Sequence, residues 1–357
     1  MTQQIHGSSR NITIGGREVG PDAAPFIIAE MSGNHDGDLD KALAIVRAAA
    51  GAGAHAIKLQ TYTADTITID VDGPQFRISS GHKLWADRRL YDLYQEAHTP
   101  WEWHAPIFDL AHELGMLAFS SPFDPTAVAF LEDLDVPCYK IASSEIVDLP
   151  LIRLAAATGK PIIISTGMAS VGEIDAAVQA VRSTGNDQII VLRCTASYPA
   201  DPADSNLRAI PVLADTFDTL VGLSDHTTGI GAAVAAIALG ACAIEKHVTI
   251  SRAGGGVDSA FSLEPHELAE LVRETETARI SLGQPRIGAT ASEREGLRLR
   301  RSLFVVQDVV AGDVVTEANV RSIRPAGGLA PDLFAVVRGR TFRTDAKRGT
   351  PLSWDIL

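Results

Sequence analysis

Short apolar runs bounded by polar or glycine-rich turns recur along this chain, each followed by a segment whose apolar positions have helical spacing. After a hairpin pattern (Ile12-Thr-Ile, Gly15-Gly16, Arg17-Glu-Val), residues 25–30 predict a first strand and residues 39–51 the helix behind it. Residues 56–60 predict a second strand. A long excursion over residues 61–100 then precedes a helix expected at 101–115. Further strands are expected at 116–121, 138–143, 161–166, 189–195, 220–224 and 243–247, and the last helix at 264–282. Eight strand–helix units in this order predict an α/β fold of the (β/α)8 TIM-barrel type, with a doubly wound open sheet as the alternative.

The pattern changes near residue 285. Alternating stretches, Ser302-Leu-Phe-Val-Val and Arg340-Thr-Phe-Arg-Thr, sit among turns such as Ala311-Gly-Asp and Arg348-Gly-Thr-Pro. The expected organisation is a hairpin plus barrel over residues 1–284, a polar linker over 285–297 and a small β-rich domain over 298–357.

Composition narrows the function. The net charge of −13 and pI near 5.2 argue against nucleic acid and acidic membranes as partners, so an anionic substrate needs cations gathered locally. No apolar run approaches the roughly 20 residues of a membrane span. The first 25 residues hold no apolar signal core, which predicts a cytoplasmic protein. Three cysteines, Cys138, Cys194 and Cys242, all in apolar segments, read as buried thiols.

Candidate chemistry collects at the strand ends. Gly222-Leu-Ser-Asp-His226 and Glu245-Lys-His247 both read as strands that stop on histidine, and two such imidazoles can hold one divalent metal. The Ser, Asp, Glu and Lys beside them are groups that handle anionic oxygens. Strand parity puts Glu30, Lys58, Gln60, Ser121, Lys140, Ser224, His226, Glu245 and His247 around a single mouth. Ser143, Ser165, Thr166 and Thr195 fall where strands turn into loops, and lysines with a ring of hydroxyls suit a phosphate or carboxylate. Either histidine alone would read as a packed residue, and the lysines alone as buried ion pairs; the pair on consecutive strand ends favours a metal. The expected cofactor is a divalent metal, Mn²⁺ or Mg²⁺, and two imidazoles without a thiolate or an obvious carboxylate ligand suit Mn²⁺ better than a structural zinc site. His35 is a second-tier candidate.

These motifs resemble a known family. Ile28-Ala-Glu-Met-Ser-Gly-Asn-His35, Lys58-Leu-Gln60, Lys140-Ile-Ala-Ser143, Ser165-Thr-Gly-Met168, Ser224-Asp-His-Thr227 and Glu245-Lys-His247 are similar to those of the sialic acid synthases. Arg324-Pro-Ala-Gly-Gly-Leu329 and Arg348-Gly-Thr-Pro-Leu352 resemble their C-terminal antifreeze-like (SAF) domain. The resemblance implies condensation of phosphoenolpyruvate with an N-acetylated amino sugar, assisted by a divalent metal on His226 and His247. Lys58 and Lys140 with Ser121, Ser143, Ser165 and Ser224 would hold phosphoenolpyruvate. Glu30, Gln60, Tyr198 and Asp258 would contact the sugar or the attacking water, with Glu30 or Glu245 moving the proton. It further implies a homodimer in which one SAF domain covers the other subunit's barrel mouth and brings Arg324 to an acetamido group.

Leu59-Gln-Thr-Tyr-Thr-Ala-Asp65, Leu90-Tyr-Asp-Leu-Tyr94, Thr99-Pro-Trp-Glu-Trp-His104 and the stretch from Gly256 to Pro265 are most similar to the pseudaminic acid branch. Neuraminate-type members usually carry Gly-Pro-Asp-His in place of Val257-Asp258-Ser259 and Asn in place of Ala196, so neuraminate and legionaminate synthesis are the alternatives. A metal-dependent aldolase on the same barrel would release no phosphate. A non-catalytic sugar- or ice-binding protein would leave the lysines and histidines without a purpose.

Overall fold

The computed structural model describes residues 11–80 and 84–357, which form two compact units divided between Gly283 and Gln284. In the first unit, β1 (Ile12–Ile14) and β2 (Arg17–Val19) form an antiparallel hairpin. Eight parallel strands follow: β3 (Phe26–Glu30), β4 (Ala56–Thr61), β5 (Leu117–Pro122), β6 (Tyr139–Ile141), β7 (Ile162–Ser165), β8 (Ile189–Cys194), β9 (Leu220–Asp225) and β10 (Ala243–His247). They close into a barrel in sequence order, with β10 pairing back onto β3, so the open-sheet alternative is excluded.

The reason lies in the residues. Strands such as Ile162-Ile-Ile are apolar on both faces, as parallel strands covered by helices must be, and each fully buried Ile stabilises by roughly 1.5–3 kcal/mol. The helix after β3, α1 (Leu39–Gly51), starts on Asp38, whose carboxylate accepts from the Asp40 and Lys41 amides. Gly222 in β9 has no room for a side chain, since a Cβ would collide with the Ala243 carbonyl and Leu192. That bare position lets β9 and β10 run close together beneath their two histidines.

The excursion after β4 carries two short helices, α2 (Ala64–Ile67) and α3 (Leu90–Ala97), before α4 (His104–Glu113). The expected helix at 101–115 thus begins as a 3-10 turn over Trp101–Trp103. Among the described residues, no helix is long and apolar enough to cross a membrane.

The second unit has its own core of Leu303, Val305, Val309, Val315, Val337, Phe342 and Leu352 around the antiparallel pair β11 (Ser302–Val305) and β12 (Val320–Ile323). The stretch expected as a strand at Arg340–Thr344 is not one. Phe342 is buried, but only single bridges hold the segment, Val314 opposite Thr341 among them, and a turn follows at once. Alternation there reflects one anchoring Phe between exposed arginines, which mimics a strand.

Candidate active site

The strand register sets the site. Glu30 lies opposite Lys58 across β3–β4 and opposite His247 across β10–β3; Gln60 faces Ser121, and Glu245 faces Ser224. Parity then turns these side chains inward at the C-terminal rim, where Glu30, Lys58, Gln60, Ser224, Glu245 and His247 line one polar cavity of about 50 Å³ with Lys140, Ser143, Ser165, Cys194, Tyr198 and His226, while Ser121 stands behind Lys58 and outside that lining.

Charge in the cavity is tightly paired. Lys58 Nζ is 2.6 Å from Glu30 Oε2 and 3.9 Å from Glu245 Oε2, and it donates to Ser121 Oγ at 3.3 Å. Lys140 Nζ sits 3.7 Å from Glu245 Oε1 and donates to the Ile141 carbonyl, while Ser224 Oγ donates to Glu245 at 3.1 Å. Burial pushes the Glu30 carboxyl above its ordinary pKa despite Lys58. Burial acts on Glu245 in the same direction, but Lys140, Lys58 and the Ser224 hydroxyl outweigh it and hold the group anionic. Burial lowers the Lys140 pKa as well.

The imidazoles come together as expected. The rings of His226 and His247 lie 5.3 Å apart between centroids, inclined at 69°. His226 Nδ1 donates to the Thr195 carbonyl at 2.9 Å, which fixes the tautomer and leaves its Nε2 lone pair open. His247 Nδ1 is buried without a hydrogen-bond partner, 3.6 Å from Asp258 Oδ2, and burial together with His226 keeps its pKa well below the ordinary value. A neutral ring with an orphaned nitrogen beside an open lone pair fits a divalent cation. Among the described residues, no cluster of three or more His, Cys, Asp and Glu closes a metal cage, so further ligands would come from water or substrate.

On the third side, Gln60 Nε2 donates to Glu30 Oε1 at 3.0 Å and to Ser32 Oγ at 3.2 Å, and Ser32 donates to Asp258. This chain links strand ends β3 and β4 to the loop after β10. Ser165 Oγ is buried without a partner, and Ser143 Oγ accepts from the Gly167 amide at 3.0 Å.

Several expectations need correcting. Asp225 and Lys246 do not face the mouth: they have the opposite parity to their neighbours and pair with each other at 2.7 Å, outside the ring of inward residues. Thr166 and Thr195 spend their hydroxyls on the Leu192 and Asp204 carbonyls. His35 is structural, with Nε2 at 3.2 Å from Thr99 Oγ1, Nδ1 accepting from the Gly37 amide, and a pKa lowered by burial to about 4. Arg324 belongs to the second unit, directly after β12.

Sequence reasoning missed three groups. Ser32 follows β3 in a loop at φ 48° and has no periodic signal. Cys194, read only as a core thiol, ends β8 with Sγ 3.5 Å from Ser143 Oγ and 3.9 Å from His226 Nδ1; its inward parity was the available clue. Glu145, in the turn after β6, keeps an Oε2 buried without a hydrogen-bond partner, and burial raises its pKa to about 7.

The chain is similar to several known proteins. A pseudaminic acid synthase of Campylobacter jejuni is 41% identical over 331 residues, 93% of this chain and 96% of its own length. A Helicobacter pylori protein of the same name is 40% identical over 93% of this chain and 97% of its own. A solved N-acetylneuraminic acid (sialic acid) synthetase from Leptospira borgpetersenii, in complex with citrate, superposes with a TM-score of 0.72 at 35% identity, covering 82% of this chain and 96% of that one. The NeuB family model matches residues 45–286, and a SAF domain matches 300–357. With this extent of similarity, the chain belongs to the NeuB family and carries a SAF domain after its barrel.

Proposed function

We propose that this chain condenses phosphoenolpyruvate with 2,4-diacetamido-2,4,6-trideoxy-L-altrose, giving pseudaminic acid and phosphate. The observation that carries the reading is the convergence of Lys58, Lys140, His226 and His247 on one buried mouth, in a chain whose relatives bear that name. Working in the cytoplasm, such an enzyme would draw both substrates from solution.

Phosphoenolpyruvate brings about three negative charges, which the buried Lys58 and Lys140 would meet with Ser121, Ser143, Ser165 and Ser224 as hydroxyl partners. His226 Nε2 and His247 Nδ1 would hold Mn²⁺ or Mg²⁺, which when bound supplies Lewis-acid polarisation at the sugar aldehyde. The enol carbon C3 attacks the aldehyde carbon, and the new alkoxide takes a proton from the Glu30 carboxyl. Water adds at C2 and gives one proton back to the Glu30 carboxylate. The tetrahedral carbon then expels phosphate by C–O cleavage, its hydroxyl proton passing to the leaving phosphate, which leaves the 2-keto acid.

Glu30 suits proton transfer because burial keeps its acid form accessible and Gln60 orients it. Glu245, fixed by both lysines and Ser224, instead holds those cations in place. Asp258 and Ser32 would take a sugar hydroxyl or the incoming water, and Tyr198 the sugar face. The functional unit we propose is a homodimer whose SAF domain covers the other barrel, with Arg324 of the partner subunit on an acetamido group.

Phosphate release tests the reading. Purified protein with Mn²⁺, phosphoenolpyruvate and a panel of acetamido-hexoses should release phosphate only with sugar present and prefer the L-altrose derivative. Bridging ¹⁸O should leave with phosphate; label in the keto acid would mean P–O cleavage and overturn the mechanism. A preference for N-acetylmannosamine or the legionaminate precursor would establish a neighbouring activity instead. No phosphate release with any sugar would end the proposal.

A further inference from the structure

The long excursion between β4 and α4 contributes nothing to the chemistry described above, yet it reaches the mouth. Trp85 Nε1 donates to the Val257 carbonyl at 3.2 Å, one residue before Asp258. Its indole lies 5.8 Å from the Tyr198 ring, tilted by 39°. Tyr198 in turn stands 4.4 Å from the His226 ring and 5.4 Å from Phe261. Loops following β4, β8 and β10 therefore meet in one aromatic ridge beside the two imidazoles.

Volume decides what that ridge is for. The polar cavity holds about 50 Å³, whereas sites that bury small organic ligands run to roughly 300 Å³ or more. The inner space is polar, with the Lys58 and Lys140 ammonium groups in its wall, and suits the compact phosphate ester. A diacetamido sugar must extend outward past Tyr198, along Trp85. That sugar is amphipathic: its acetamido methyls and 6-deoxy carbon are apolar, and an indole is the side chain best shaped to cover such groups. The hydrogen bond to Val257 holds the ring at that edge and leaves it half-buried.

We infer that Trp85 is a specificity-determining residue, the outer wall of the acceptor-sugar subsite, packed on Tyr198. The inference rests on the proposed function. It predicts separation of the two substrates: Trp85→Ala should raise the sugar KM roughly tenfold, the loss of one aromatic contact, with the phosphoenolpyruvate KM within about twofold of wild type. Trp85→Phe should keep most sugar affinity.

Fluorescence supplies a second readout that needs no turnover. Saturating wild-type protein with the diacetamido sugar should change its tryptophan emission, and Trp85→Phe should abolish the change. Of the other three tryptophans, Trp101 stacks on Phe130, Trp103 sits edge-on to His35, and Trp354 belongs to the second unit, so Trp85→Phe is compared with Trp354→Phe, which should keep the change. An unaltered sugar KM in Trp85→Ala, an equal rise in both KM values, or an emission change that survives in Trp85→Phe would each overturn the inference. If Trp85→Ala does not fold, the Trp85→Phe emission test decides alone. Wild-type protein that uses no acetamido sugar would remove the proposed function and this wall with it; active wild type with an indifferent Trp85→Ala would remove only the wall.

Discussion

Lys246 Nζ stands 2.7 Å from Asp225 Oδ2, with both side chains buried, and also donates to the Thr227 carbonyl. The second carboxylate oxygen of Asp225 accepts from the Thr227 amide and hydroxyl at 2.9 and 2.8 Å. The pair joins β9 to β10 on the outer face at the level where His226 and His247 point inward. It therefore fixes the spacing of the imidazoles from behind.

Replacing Lys246 by Met should thus weaken Mn²⁺ binding by about 10- to 100-fold, the usual cost of losing an outer support of a metal ligand. It should also cost about 3–5 kcal/mol of stability, because Asp225 is left buried and uncompensated. Calorimetric Mn²⁺ titration and urea unfolding measure the two effects. Lost stability with unaltered Mn²⁺ affinity would reduce the pair to a fold element.

Gly167 tests the proposed phosphate end of the site. A Cβ there would stand 2.7 Å from Ser143 Oγ and 2.8 Å from the Ala196 Cβ, and the Gly167 amide already donates to Ser143. Gly167→Ala should displace Ser143 and raise the phosphoenolpyruvate KM by roughly three- to tenfold, the value of about one hydrogen bond. The sugar KM should stay put; steady-state kinetics with each substrate varied in turn checks both.

Glu145 makes a pH prediction. Its folded pKa of about 7 exceeds the ordinary value of 4.5, with burial as the first cause, so the unfolded chain loses this proton first as pH rises. Stability contributed by this site is intact below the unfolded pKa and falls between about pH 4.5 and 7, by at most about 3 kcal/mol. Glu145→Gln should therefore raise the unfolding midpoint at pH 8 and leave it nearly unaltered at pH 4.5. Equal shifts at both pH values would refute the assignment.

For the dimer, Arg324→Ala should weaken sugar use far more than phosphoenolpyruvate use. Mixing Arg324→Ala with His247→Ala after unfolding and refolding together should restore activity, since a mixed dimer would contain one mouth with its own histidine and an intact Arg324 from the other subunit. Absence of recovery in a mixture shown to exchange subunits would argue against the shared site.

The eight strands and the inward set of Glu30, Lys58, Lys140, Ser224, His226, Glu245 and His247 were legible because period-two alternation within a strand fixes which side chains share a face. Reading Asp225 and Lys246 as site groups ignored that same rule. Ser32, Glu145 and Trp85 were not legible, since loops carry no periodicity and their contacts join residues far apart in sequence, such as Trp85 with Val257. Arg340–Thr344 shows the opposite error: one buried Phe among arginines imitates alternation that only a paired strand would make meaningful.

Lys58 wedged between Glu30 and Glu245 has a consequence for inhibitor chemistry. A designed molecule that merely piles on anionic groups would contend with two resident carboxylates for the same ammonium. A better scaffold would unite one phosphonate arm with a hydrogen-bond donor aimed at Glu30, so that the resident acid becomes an anchor rather than a competitor.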